Sequence, residues 1–185
     1  LNQCIGSSFG LRDFRVPFYG IYGACSTMGE SLSLASLLID GGYADRAAAL
    51  TSSHFCTAER QYRMPVPYGS QRTPTAQWTT TAAGCTILGS DGPGPYVTHV
   101  TCGRIVDKGI TDANNMGAAM APAAYDTLSA FFRDTGYKPA DFDLILTGDL
   151  GELGHAIVRD FFQRDGVDMG PQFQDCGLLL YDRKH

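Results

Sequence analysis

Cys25 stands in Gly23-Ala24-Cys25-Ser26-Thr27, where an apolar run stops and residue types that cap helices begin. A cysteine at a strand-to-helix turn meets backbone N–H groups and the positive end of a helix dipole, both of which favour the thiolate. That is the setting of a nucleophile awaiting an acyl group; the plainer role is a small buried hydrophobe. Thiol catalysis also needs a base, usually histidine. The chain offers His54, His99, His155 and His185. His54 follows a predicted strand end and can share a rim with Cys25. His99 alternates inside a predicted strand, His155 opens a predicted helix, and His185 is the last residue.

A second group of chemistry-bearing residues lies between His54 and Ala76, where Arg60, Arg63 and Arg72 accompany Tyr62 and Tyr68, with Trp78 just beyond. Arginine in a bidentate pose suits carboxylate ligands, although a solvated or interface loop has the same composition. The cysteines at 4, 25, 56, 85, 102 and 176 contain no CxxC pair and no tight Cys/His cluster. Zinc sites want such spacing and disulfide scaffolds are denser in cysteine, so no metal is expected and the thiols are read as reduced. The glycine-rich stretch GSDGPGP at 89–95 matches no phosphate-binding fingerprint and reads as turns.

Positioning these residues requires an alternation of strands and helices. Val16 to Ala24 (VPFYGIYGA) has strand length and strand composition, and Leu32, Ala35, Leu38 and Ile39 then recur at helical spacing until Gly41-Gly42. Ser26 and Thr27, with Glu30 close behind, supply the start of that helix. Arg46–Ser52 predicts a second strand. The stretch 54–76 is too long for a plain connector, and long loops in compact domains are often functional. Further strands are predicted over Gln77–Leu88 and Tyr96–Val106. A helix with Pro122 in its first turn follows, ended by Gly136. Then come a buried strand over Phe142–Thr147, a helix over Gly154–Asp165 and a last strand from Gly177 to Tyr181. Such alternation means a layered α/β fold. Leu11-Arg12-Asp13-Phe14 is echoed over three residues by Val158-Arg159-Asp160-Phe161, an echo that a duplicated half-domain would explain.

Composition narrows the partners. Of 185 residues, 44% are hydrophobic and 18% charged, below the usual share of about 25% charged. A core of good size is within reach, and the low charge points to surface covered by further protein. The net charge of −5, with scattered Lys and Arg, argues against nucleic acid. No apolar run approaches the roughly 18 residues that span a bilayer.

Longer strings carry a resemblance. Gly23–Thr27 is similar to the nucleophile turn of the thiolase superfamily. LNQ at the start, GACSTMGES, LIDGGYADRA, TSSHFCTAERQYR, QRTPTAQWT, GITDANNMGAAMAPAA, DLILTGDLGELG and DCGLLLYD together resemble the stage V sporulation protein AD family of spore-forming bacteria. The resemblance implies a thiolase-like, duplicated αβαβα fold, of which this chain is an internal piece. Residues 1–106 would be most of the N-terminal half, including the 54–76 loop, and 107–185 the truncated start of the C-terminal half.

The same resemblance implies a protein without catalysis. In related condensing enzymes the strand matching Asp143 to Leu146 runs into the catalytic histidine, and here that position falls on Gly148, which cannot move a proton. Cys25 keeps the nucleophile's place without its base. The family binds dipicolinic acid and supports its uptake into the forespore, together with other subunits of the sporulation channel. The implied ligand residues are Cys25, Ser26 and Thr27, with His54, Asn2 and Asp149 around them. No cofactor is implied. A homodimer is, with Arg46–Ser52 as the interfacial strand, as is a cytoplasmic location held peripherally at the forespore or spore inner membrane through partners. The alternative is a working acyltransferase or condensing enzyme with Cys25 as acyl acceptor.

Overall fold

The computed structural model describes residues 5–54, 73–78 and 80–180. They mix helices and strands, as an α/β reading requires, and fall into two compact units. The first draws on residues 5–54 and 80–100, the second on 73–78 and 101–180.

In the first unit, α1 (Ile5–Leu11) runs into a 3-10 turn at Arg12–Phe14. A second 3-10 turn, Ala24–Ser26, leads into α2 (Thr27–Asp40), then β1 (Arg46–Ser52) and β2 (Ala83–Gly89). Thr27, Ser31 and Ala35 recur every four residues and form the buried stripe of α2, which packs on β1. Small side chains there allow close approach, and Ala49 is the fully buried point of β1. β1 and β2 pair antiparallel from Arg46↔Gly89 to Ser52↔Ala83. The helix stops where Gly41-Gly42 predicts, Gly42 taking a left-handed φ of 71°.

The second unit is built on a β–α–β crossover. β3 (Ile145–Thr147) and β4 (Phe173–Asp175) pair in parallel, in register from Ile145↔Phe173 to Thr147↔Asp175, with α4 (Gly151–Arg164) between them. α3 (Met116–Thr135) packs against α4, and Ala121, Ile145, Leu150, Val158, Phe162, Met169 and Phe173 form the core. The two helices approach closely at glycine: a Cβ on Gly154 would lie 2.8 Å from the Cα of Gly117. α5 (Cys176–Leu180) follows β4 directly.

Several expected elements differ. Val16–Gly23 and Tyr96–Val106 form no strand. A strand is defined by its ladder, and no described strand pairs with either segment; Phe14, Val16, Phe18, Tyr19, Tyr22, Tyr96 and Ile105 are exposed. The echoed Leu11–Phe14 segment therefore leads into no strand, whereas its counterpart inside α4 precedes β4. Pro122 is not in the first turn of its helix. α3 starts earlier, where the Asn115 side chain accepts from the Ala118 N–H at 3.2 Å, and Pro122 is carried in the interior. The last strand lies at Phe173–Asp175, and the GLLL run that suggests one is helical. No helix among the described residues is long and apolar enough to cross a membrane.

Candidate functional site

The turn at Cys25 is built from glycine and strain. Ala24 adopts φ 49°, a left-handed conformation that costs a residue with a Cβ on the order of 1 kcal/mol or more and that gathers at functional sites. A Cβ on Gly23 would collide with Glu30 Oε2 and sit 2.6 Å from Ser26 Oγ, so a side chain there would displace both. The Ser26 hydroxyl donates back to the Gly23 carbonyl at 2.7 Å, and Thr27 Oγ1 to the Ala24 carbonyl at 2.8 Å. Ser26 therefore occupies the N-cap of α2 without capping it by its side chain, which correspondingly leaves the first-turn N–H groups of α2 uncapped by that hydroxyl. Cys25 and Ser26 are exposed and Thr27 is buried.

His54 follows β1 by two residues and is exposed. Because α2 and β1 are joined by a short turn and pack together, they run in opposite directions. Fourteen helical residues span about 21 Å and seven strand residues about 23 Å, so the end of β1 returns to the level where α2 began. The element lengths thus put His54 at the same end of the α2–β1 pair as Cys25.

Asp149 belongs to the second unit, at the edge where β3 and β4 both end and α4 and α5 both start. In parallel α/β arrangements this carboxyl edge is where ligands bind. The Trp78 backbone N–H donates to Asp149 Oδ2 at 2.7 Å, bringing the 73–78 segment onto this edge. Asp175 beside it is fully buried. Its Oδ2 accepts from Thr147 Oγ1 and from the Leu150 N–H, each at 2.9 Å, and its Oδ1 from the Gly177 N–H at 3.1 Å. Burial raises the pKa of Asp175, with the donors of Leu150, Thr147, Leu178 and Gly177 pulling the other way. Partial burial, then the charges of Asp175 and Asp149, raise the Cys176 thiol, which stays protonated at neutral pH. A Cβ on Gly177 would collide with Asp149 Oδ1 and lie 3.0 Å from Trp78 Cβ, so a side chain there would displace the Asp149 carboxylate.

The remaining sequence candidates divide simply. Asn2, Arg60, Tyr62, Arg63, Tyr68, Arg72 and His185 lie outside the described residues. His99 is exposed and hydrogen-bonded to Thr98 at 3.0 Å. His155 lies one turn into α4 and stacks on Phe173 at 4.5 Å, with the Arg159 guanidinium also over that ring. Among the described residues no group of three or more His, Cys, Asp or Glu is arranged to hold a metal ion. Asp175 and Cys176 were not signalled by a motif. Asp175-Cys176-Gly177 after Phe173-Gln174 was the available hint, because a carboxylate two residues before a glycine suits a strand-to-helix junction.

Known proteins supply the wider frame. The family profile described as "Stage V sporulation protein AD (SpoVAD)" matches residues 1–185. A curated relative, "Stage V sporulation protein AD" of Bacillus subtilis (strain 168), is 47% identical over 182 residues, which are 98% of this chain and 54% of the relative. The chain thus spans about half the length of the curated relative it matches.

Proposed function

The chain belongs to the stage V sporulation protein AD family, and from that premise we propose that it acts in sporulation by binding dipicolinic acid without catalysis and supporting its uptake into the forespore. The observation that carries the reading is the turn at Cys25: a strained Ala24, a glycine whose side chain would collide with Glu30 and Ser26, and an exposed cysteine in the 3-10 turn that leads into α2. Helix starts offer N–H donors to carboxylates, and dipicolinate carries two near neutral pH. Cys25, Ser26 and Thr27 are the proposed contacts, with His54 at the same end of that unit. The family resemblance adds Asn2 and Asp149, and the Asp149 carboxylate already accepts from the Trp78 N–H.

The rest of the reading follows from the family. The fold is thiolase-like and duplicated, with halves at 1–106 and 107–185. The protein is a homodimer that works with the other subunits of the dipicolinate channel, peripheral to the forespore or spore inner membrane on its cytoplasmic side. Gly148 where a condensing enzyme carries its histidine favours binding over acyl transfer.

Thermal unfolding of the full gene product tests this directly. A ligand present at 100 times its Kd stabilises the folded state by about 2.7 kcal/mol, so dipicolinate should raise Tm. Cys25→Ala should diminish that rise without lowering the ligand-free Tm, because Cys25 is exposed. An equal rise in the variant would remove the ligand from this turn. Intact mass measurement after exposure to acyl-CoA addresses the alternative: an acyl adduct on Cys25 would make the protein an acyltransferase.

A further inference from the structure

The sequence contains three Asp-Gly pairs, Asp40-Gly41, Asp91-Gly92 and Asp165-Gly166. An aspartyl side chain can be attacked by the backbone nitrogen that follows it, and glycine, with no Cβ, obstructs the resulting five-membered ring least. All three aspartates are exposed, so access to water does not separate them. The glycine N–H does. Gly41 donates to the Leu37 carbonyl at 2.9 Å at the end of α2, and Gly166 to the Gln163 carbonyl at 3.0 Å just past α4. The Asp165 carboxylate is engaged as well, accepting from the Tyr125 hydroxyl. Asp91-Gly92 instead lies beyond the β1–β2 ladder, which ends at Arg46↔Gly89. Neither the Gly92 N–H nor the Asp91 carboxylate has a hydrogen-bond partner among the described residues. The Tyr96 hydroxyl donates to the Gly92 carbonyl at 2.7 Å, which holds the turn and leaves the nitrogen free. Around Gly92 there is open space: a Cβ would meet nothing within 4 Å, and the φ of 129° suits glycine.

We infer that Asp91-Gly92 is a site of spontaneous modification in the folded protein, where aspartate converts to isoaspartate through a succinimide. The Gly92 nitrogen bonds to Asp91 Cγ; the protonated side-chain carboxyl loses its hydroxyl and the amide its proton, together one water. A water then reopens the ring. Cleavage of the new Cγ–N bond restores aspartate. Cleavage of the original peptide bond leaves the chain running through the side-chain carbonyl, one methylene longer, with a free α-carboxylate. Nothing is oxidised or reduced, and water is the only co-reactant. At Gly41 and Gly166 the nitrogen must first give up its hydrogen bond, so the helix ends protect two pairs and the turn exposes the third. Because the turn lies outside the ladder, the added methylene leaves the β1–β2 register intact. The product is a substrate for a methyltransferase that esterifies isoaspartyl carboxylates from S-adenosylmethionine.

The test is ageing of the full gene product in warm neutral buffer, folded and in denaturant, followed by peptide mapping, with Asp91→Glu as the control and Tm measured on both proteins. The peptide carrying Asp91 should split into two species of equal mass. One of them should resist an Asp-specific protease at that position and accept a methyl group from an isoaspartyl methyltransferase. In the folded protein, conversion at Asp91 should outrun that at Asp40 and Asp165 by about 10-fold, the weight of one backbone hydrogen bond that must open first. In denaturant the three rates should converge. Asp91→Glu would need a six-membered ring, so its peptide should stay single while its Tm matches the wild type. Equal conversion at the three pairs in the folded protein overturns the inference. So does an excess at Asp91 that persists in denaturant, since local sequence and not the fold would then set the rate. A lowered Tm in Asp91→Glu overturns it as well, because the carboxylate would then be held within the protein.

Discussion

A carboxylate that water does not reach is held at Asp175 by Thr147, Leu150 and Gly177, which join the ends of β3 and β4 to the starts of α4 and α5. Asp175→Asn turns one acceptor oxygen into a donor facing another donor, and should destabilise the protein by about 1–3 kcal/mol in denaturant unfolding. The pH dependence has a definite sign. The folded-state pKa of Asp175 is raised, so the stability it contributes is full below its ordinary value and is lost as pH rises through the raised one. The gap between wild type and Asp175→Asn should narrow from acid toward neutral pH; a gap that widens would show the carboxylate, not the acid, to be the favoured form. Cys176, whose thiol is raised by partial burial and by its two carboxylate neighbours, should be the slowest of the described cysteines to alkylate at pH 7. Peptide mapping that finds it modified first would contradict this.

At the scale of elements, what the sequence discloses depends on whether an element's partner is near in the chain. α2, β1 and the interior of α4 follow their local periodicity, and Gly42 and Gly136 stop helices as their left-handed φ values require. Val16–Ala24 reads as a strand because its side chains would suit one, yet composition cannot supply the neighbouring ladder. The start of α3 is hidden because Pro122 draws attention to itself, while the actual cap, Asn115, sits among polar loop residues. Of the strand-to-helix turn expected at Cys25 the helix start is legible, but not the missing strand before it nor the left-handed Ala24. Asp175 is illegible, since it acquires its meaning from residues 25 or more positions away and from burial. Two substitutions separate the contributions to α3 and α4. Gly154→Ala must open the contact with Gly117 and should cost about 1–3 kcal/mol. Asn115→Ala removes only a cap and should cost about 1 kcal/mol. Equal Tm values for Gly154→Ala and wild type would mean that the helices can separate freely.

For the whole molecule, low charge and many exposed aromatic residues point to surfaces that meet other protein. β1 uses one edge for β2 and pairs with no other described strand; the proposed homodimer would form through its other edge. Light scattering on the full gene product should therefore give twice the protomer mass; a monomer at high concentration would refute the dimer. The central claim is ligand binding. Its most direct measurement is a calorimetric titration of the folded full gene product with dipicolinate at neutral pH. A saturable heat, weakened in Cys25→Ala, is the predicted result. No heat from a protein shown to be folded would contradict it.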